Sequence, residues 1–404
     1  MRHYLDHAAA TDLLPEAAAA HADELARQVA APGNPSSGHA AGRAARARWE
    51  EARERIAAAL DADAAEVILT SGATEADTLA LTGVVRAAHL ARRTPRCVAH
   101  SAVEHPSVLS TARHLEDDGL SVAHQLPVLP DGRLDLDAAR EVLSCPPALY
   151  SVTAVCHETG VVQPLRELVT IARTAADRER PRGVPVHTDA SQALGVLPVR
   201  FHADDLDACT IAGPKIGGPV GTGALIARRD LELAPVGGGG GQQRSVRSGT
   251  LDVAGATALA VAVEHAVATR EAHAARMSAL RAELVSGIAS RIPGLVVTGP
   301  DPDRPESAEV SPAVVHVRIP GADPDALLLA LDAAGIDASP GAACTTGVLG
   351  ASDVLLAMGL SEADARTGLR LSMGRTTTAD DVVAVVRALP GAAESARAVG
   401  ALSS

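Results

Sequence analysis

Large aromatic side chains are almost absent from this sequence: one Trp, two Tyr and one Phe (Trp49, Tyr4, Tyr150 and Phe201) serve 404 residues. Sites that stack bases on ring platforms, as single-strand nucleic-acid binders do, are thereby excluded, and a flat ligand would have to stack on one of the 15 histidines. Lysine is scarcer still, because Lys215 is the only one. Arginine handles the positive surface charge, so a single retained lysine does what arginine cannot: lose its proton and attack a carbonyl. Positive charge is itself in deficit, with a net charge of −13, which removes the electrostatic case for nucleic acid or an anionic membrane as partner. The longest apolar run, 253–263, falls well short of the roughly 18 residues that span a bilayer. The amino terminus also lacks the apolar region of a signal peptide, so a cytoplasmic protein is expected. Cys97, Cys145, Cys156, Cys209 and Cys344 are odd in number and far apart, with no Cys-x-x-Cys pair. That disfavours a disulfide framework or zinc ribbon, and no metal site is expected. A cysteine that matters here matters as a thiol.

What is present is an ordinary globular composition, 47% hydrophobic and 21% charged, on a chain long enough for about two domains. Ala-rich helical stretches alternate with short β-branched runs, the pattern of an α/β domain whose largely parallel sheet is covered by helices. Strands are predicted over 66–70, 97–100, 148–153, 184–188, 208–212 and 223–227, and helices over 43–60, 75–91, 106–115 and 165–176. A long helix is predicted over 252–292. Beyond it come strands at 295–298, 313–319 and 370–373 and helices at 324–334 and 379–389, with a loop over 299–312. The expected organisation is a large α/β domain, 15–265, and a smaller α+β domain, 266–404, with segment 1–14 packing on the small one.

In a parallel sheet, ligands bind at the carboxyl ends of the strands, and several clusters fall at such positions. Thr70-Ser71-Gly72-Ala73-Thr74-Glu75 joins a strand to a helix. Its small residues leave amides free, its hydroxyls add donors and the helix start favours an anion, so a phosphate fits; an ordinary capped turn reads the same way. Asp189 closes the apolar strand of Val186-His187-Thr188-Asp189, and Lys215 follows the next strand in a Gly/Pro-rich loop, 212–221. An acid and a lysine at neighbouring strand ends suit pyridoxal phosphate, the lysine bonding to the aldehyde and the acid pairing with the pyridinium nitrogen. A surface lysine and a capping aspartate are the alternative. His105 precedes Pro106 at another strand-to-helix junction and is the best candidate to stack on a cofactor ring. The glycine run 237–241 leads into Gln242-Gln243-Arg244-Ser245-Val246-Arg247-Ser248-Gly249-Thr250, suited to a phosphate or a subunit interface, or else a plain linker. Cys344 lies among small residues in 339–347, placed for nucleophilic attack if deprotonated. Arg370 heads a strand, from which its guanidinium can hold a carboxylate in bidentate fashion.

Together these stretches, with Tyr4-Leu5-Asp6-His7-Ala8-Ala9-Ala10-Thr11, Gly33-Asn34-Pro35-Ser36-Ser37 and Leu369-Arg370-Leu371-Ser372-Met373-Gly374-Arg375, resemble the cysteine desulfurases of the class V aminotransferase superfamily over nearly the whole chain. The resemblance implies the pyridoxal-phosphate transferase fold of type I, with a mostly parallel mixed sheet flanked by helices in the large domain. It implies Lys215 as the Schiff-base lysine, Asp189 as the pyridinium partner, Gln192 as donor to the ring's phenolic oxygen and His105 as the stacking, proton-transferring histidine. Ala73, Thr74 and Thr250 match cofactor-binding positions, Thr250 reaching the partner subunit of a homodimer. Arg370, Asn34 and His157 match the substrate site. Cys344 matches the thiol that takes sulfur from L-cysteine as a persulfide, releases alanine and passes sulfur to an acceptor protein. Two departures stand out: Pro214 where the family usually has His, and Cys156-His157 where it has consecutive asparagines. Another pyridoxal-phosphate C–S or C–Se lyase or biosynthetic enzyme, and a non-catalytic binding scaffold, are the competing readings.

Overall fold

The computed structural model describes residues 2–91, 97–178, 180–300, 309–340 and 350–403. After a short β1 (His3–Tyr4), helices α1 (Pro15–Ala30) and α2 (Ala40–Ala59) lead into the large sheet. Its elements follow as β2 (Val67–Thr70), α3 (Ala73–Leu90), β3 (Val98–Ser101), α4 (Pro106–Asp117), β4 (Ala123–Leu126), α5 (Leu136–Glu141), β5 (Leu149–Ser151), α6 (Leu165–Arg173), β6 (Val186–Asp189), β7 (Ala208–Ala212) and β8 (Gly223–Ala227). The strand order is β2-β8-β7-β6-β5-β3-β4. Strands β7, β6, β5, β3 and β4 run parallel, and β8 is antiparallel to both its neighbours. The carboxyl ends of β2, β3, β5, β6 and β7 therefore share one edge, with β6 at the centre.

Every residue of β5, β6, β7 and β8 is buried. Both faces are covered, which is why these strands read as unbroken apolar runs rather than as an alternation. Along β8, Ala224 and Ile226 join the core under α2 and the long helix, while Leu225 and Ala227 join the core under α3 and α4. That long helix, α7 (Val253–Ala289), contributes Val253 to Ala266 to the first core and Met277 to Ile288 to a second one.

The second core lies against a four-stranded sheet formed by β9 (Val296–Val297), β10 (Val314–Arg318), β12 (Ser339–Pro340) and β13 (Gly368–Ser372), in the order β12-β13-β10-β9. Helices α8 (Pro324–Ala333) and α11 (Ala379–Ser403) pack on it, and α9 (Asp353–Ala357) and α10 (Glu362–Ala365) precede β13. Strand β1 pairs in parallel with β11 (Ile336–Asp337), and Leu5 is buried in this second core.

The predicted elements are found within a few residues, with three instructive differences. The helix expected to stop at Leu389 runs to Ser403 through Pro390. Leu389, Ala392, Ala393 and Ala396 continue its buried face, and that burial outweighs the one hydrogen bond a proline removes. Helix α1 escaped the reading because it buries no large apolar side chain, only Ala17 and Glu24, and β4 because its middle residues are exposed on an edge strand. Of the predicted loop over 299–312, residues 301–308 lie outside the described residues.

Candidate active site

Each candidate side chain is placed by the way its strand ends. At the end of β6, Asp189 is buried and its Oδ1 accepts the Ser191 N–H at 2.8 Å. At the end of β7 the chain makes one 3-10 turn, Gly213–Lys215. Gly213 is required there because a Cβ would lie 2.1 Å from Thr222 Oγ1, and Pro214 occupies a first-turn position where its missing N–H costs nothing. We expect Gly213→Ala to destabilise the fold by about 1–3 kcal/mol through this overlap, seen as a lowered midpoint in thermal unfolding.

The turn aims Lys215 at the amino-terminal segment. Its Nζ donates to Ala8 O at 2.7 Å and to Ala9 O, and Gln192 Nε2 donates to the same Ala8 O at 2.9 Å. Burial lowers the Lys215 pKa, and the Arg370 charge lowers it further, against the opposing charges of Asp189 and Asp6. A larger neutral fraction makes the amine a better nucleophile.

Beyond β3, His105 caps α4 in extended conformation, with Pro106 as the first helical residue. Its Nδ1 accepts the Ser107 N–H at 3.1 Å and lies 2.8 Å from Ser107 Oγ. Burial lowers its pKa, Asp189 opposing and Lys215 adding to the shift. The His157 ring, beyond β5, meets it edge to face with centroids 5.3 Å apart. Burial, with the charges of His105, Arg370 and Lys215, pushes His157 down to about 3, so it stays a neutral ring. Arg370, on β13, donates to His157 O and to Asp6 Oδ1, both at 2.9 Å. Lys215, Asp189, His105, His157 and Arg370 thus form one group within electrostatic reach of one another, drawn from both cores.

Helix α3 starts at the same sheet edge. Gly72 precedes it at a φ of 152°, and no side chain caps the helix. The first amides, at Ala73 and Thr74, therefore face outward with the exposed Thr74 hydroxyl, an arrangement that receives an anion. Glu75 takes the Ser71 N–H and pairs with Arg247, whose Nε is 2.9 Å from its Oε1. That pair draws the 242–250 loop to the helix start. Thr250 at the end of the loop is exposed, and no hydrogen bond ties its side chain to the group. Asn34 is also exposed, and its Oδ1 is engaged by the Ser36 N–H in a turn between α1 and α2. Cys344 lies outside the described residues.

Sequence reasoning missed several groups that line the same edge. Asp6 neutralises Arg370. Glu104, fully buried, accepts the Thr153 N–H at 2.7 Å, and burial raises its carboxyl well above the usual range. Asp77, Ser107 and His187 lie behind His105. A signal existed for Asp77, because it interrupts the apolar face of α3 between Ala76 and Leu79, where a carboxylate has no reason to be unless it is used or paired.

Glu158 is a further buried acid, accepting the Ser352 hydroxyl ahead of α9. Burial raises it to about 7. Its protonated form is favoured in the folded state, so its stabilising contribution is complete below the ordinary carboxyl range and is lost as the pH rises through about 7. We expect Glu158→Gln to narrow the difference in unfolding midpoint between about pH 5 and about pH 8, with an effect on the order of 3 kcal/mol.

The donor set accepts a phosphorylated aldehyde on a cationic ring: amides and a hydroxyl for the phosphate, an acid for the ring nitrogen and an amine of lowered pKa for the aldehyde. A profile of the class-V aminotransferases matches residues 3–385. The chain belongs to the class-V aminotransferase family. Within it, the chain is 43% identical over 397 residues to an IscS-like cysteine desulfurase of Mycobacterium tuberculosis (strain ATCC 25618 / H37Rv), covering 98% of this chain and 97% of that one. It is 37% identical over 400 residues to a cysteine desulfurase of Cereibacter sphaeroides, with 98% and 97% covered. The cysteine desulfurase NifS of Azotobacter vinelandii is 34% identical over 390 residues, with 96% and 91% covered. Among solved structures, a NifS-like protein superposes with a TM-score of 0.84 at 28% identity, over 97% of this chain and 99% of the other. DndA from Streptomyces lividans superposes at 0.72 with 32% identity, over 90% and 97%. The α/β class and the family expected from the motifs are therefore both found, and the chain is a member of the cysteine desulfurases. No helix among the described residues is long and apolar enough to cross a membrane.

Proposed function

We propose that the chain is a pyridoxal-phosphate enzyme converting L-cysteine to L-alanine, with the sulfur taken up as a persulfide on Cys344. The observation that carries this reading is the meeting of Lys215, its pKa lowered by burial, with Asp189, His105 and Arg370 at one site, in a chain of cysteine desulfurase sequence. Ala73 and Thr74 hold the phosphate, Asp189 the ring nitrogen and Gln192 the ring oxygen. Bound there, the cofactor supplies an electron sink for the substrate's α-carbon.

The residues of the chain do the rest. Arg370 fixes the substrate carboxylate by its guanidinium, exchanging the Asp6 contact for it. Lys215 would hold the cofactor's aldehyde through Nζ and, as a free amine, would move a proton at the substrate's α-carbon. His105 would lie against the cofactor ring and pass a proton beside it. The Cys344 thiolate forms a bond to the substrate sulfur as the carbon–sulfur bond breaks, and the β-carbon takes up a proton to give alanine. The division at residue 266, the homodimer completed by Thr250, the cytoplasmic location and delivery of sulfur to an acceptor protein belong to the same proposal. Asn34 is part of it on the ground of its motif.

Incubation of purified protein with pyridoxal phosphate and L-cysteine, measuring alanine and sulfide together, tests it. Equal amounts of both in the presence of a thiol reductant are expected, and absence of alanine overturns the reading. A second reading is favoured by one observation: His157 brings an imidazole against His105 where the family's motif has an asparagine. That change alters a contact to cofactor and substrate and fits another pyridoxal-phosphate C–S or C–Se lyase.

A further inference from the structure

The side chains behind His105 form a hydrogen-bonded chain that the mechanism above does not use. Ser107 Oγ is 2.8 Å from His105 Nδ1 and 2.6 Å from Oδ2 of Asp77, a fully buried residue of α3. Asp77 Oδ1 lies 3.6 Å from Nε2 of the equally buried His187. His187 is itself satisfied by Ser151 Oγ at 2.9 Å and Thr210 Oγ1 at 3.1 Å.

Counting hydrogens fixes the direction of this chain. The Ser107 backbone N–H points at His105 Nδ1, so that nitrogen offers a lone pair. The Ser107 hydroxyl, close to the same lone pair, gives its single hydrogen there. Its oxygen can then only accept at Asp77, and a carboxyl donates only when protonated. The reverse assignment, an ionised Asp77 accepting from Ser107, leaves either two lone pairs facing each other at 2.8 Å or an Nδ1 hydrogen facing an amide hydrogen.

We propose that Asp77 is a positioning residue that, as a neutral carboxyl, donates to Ser107, which donates to His105 Nδ1, so that His105 carries its hydrogen on Nε2. The surroundings agree. Burial and the neighbouring Asp189 charge raise Asp77 well above the usual carboxyl range against the opposing pull of the Ser107 and Thr210 hydroxyls, the buried Glu104 feels the Asp77 charge, and burial pushes His187 down to about 3, leaving it a neutral neighbour. A neutral Asp77 leaves Asp189 as the anionic partner for a cationic ring. Its consequence for turnover rests on the reading of the site given above: His105 presents an N–H, not a lone pair, to the space it shares with Lys215.

The test is the magnetic resonance of isotopically labelled histidine nitrogens in the full-chain holoenzyme, the His105 signals being identified by their loss in His105→Asn. Nδ1 is expected to resonate as an unprotonated ring nitrogen and Nε2 as a protonated one. Asp77→Asn keeps this pattern, because its amide donates to Ser107 Oγ in the carboxyl's place. Ser107→Ala keeps the backbone N–H at Nδ1 but loses the hydroxyl donor, so the Nδ1 signal moves toward that of a free ring nitrogen while Nε2 stays protonated, and kcat falls about threefold with KM for cysteine unchanged. A protonated Nδ1 in the unaltered protein overturns the proposal, as does a switch of tautomer in Asp77→Asn. Should Asp77→Asn fail to fold, the unaltered protein and Ser107→Ala decide the matter. The spectra read the tautomer whether or not cysteine is consumed, so failure of the desulfurase reading shows separately, as missing alanine.

Discussion

Replacing Lys215 by alanine abolishes both covalent retention of pyridoxal phosphate and the formation of alanine from L-cysteine. Turnover should fall by at least about a thousandfold, because no other side chain can replace the attacking amine. The sequence contains no second lysine, and Lys215→Arg should fail equally, since a guanidinium keeps its proton at any working pH. The loss is chemical rather than structural. Among the described residues Lys215 Nζ bonds only to the carbonyls of Ala8 and Ala9, and Gln192 still holds the Ala8 carbonyl, so stability should change by only about 1 kcal/mol. Absorbance of the dialysed protein, thermal unfolding and alanine assay of the same sample measure all three. A variant that keeps its chromophore through dialysis and forms alanine at the original rate would rule out the assigned role.

Replacing Cys344 by alanine should leave cofactor retention intact and reduce sulfur release from free cysteine by at least about a hundredfold. The groups assigned to hold cofactor and substrate lie on other segments, so binding survives while the sulfur has no acceptor. None of the other cysteines can substitute. Burial pushes the Cys156 thiol up to about 11 and raises Cys209 and Cys97 as well, which keeps them protonated and inert. Cys145 is exposed but precedes β5, at the amino edge of the sheet and away from the site. Paired assays of alanine and sulfide on the variant decide the matter. Undiminished turnover would sink the persulfide route and favour the second reading, a lyase that releases its product without a thiol.

The two variants also show how unevenly the site was written in the sequence. Lys215 stood out as the single lysine, in a Gly/Pro loop after a strand, and Asp189 as the acid closing an apolar run. Both are local signals, because a parallel strand delivers the residue at its carboxyl end to the ligand edge whatever the rest of the chain does. His105 was legible for the same reason, its position set by Pro106 and the helix that follows. Asp77, Ser107 and His187 were not. Ser107 and His187 look like ordinary helix and strand residues, and the break Asp77 makes in the apolar face of α3 does not say which partner it meets; their chemistry arises only because α3, α4 and β6 bring them together.

The sequence by itself determined the α/β class, the strands and most of the helices, and it singled out Lys215 and Asp189 as candidates, since these follow from periodicity, turn residues and the scarcity of alternatives within a few positions. Only the tertiary structure decided that Arg370 would be neutralised by Asp6, 364 residues away, and that the amino-terminal carbonyls of Ala8 and Ala9 would hold Lys215. It also carried α11 past Pro390 and collected three buried carboxyls, Asp77, Glu104 and Asp189, around one histidine. Those outcomes depend on burial and on charges brought together from distant segments, whose free energies have no counterpart in any local stretch of sequence.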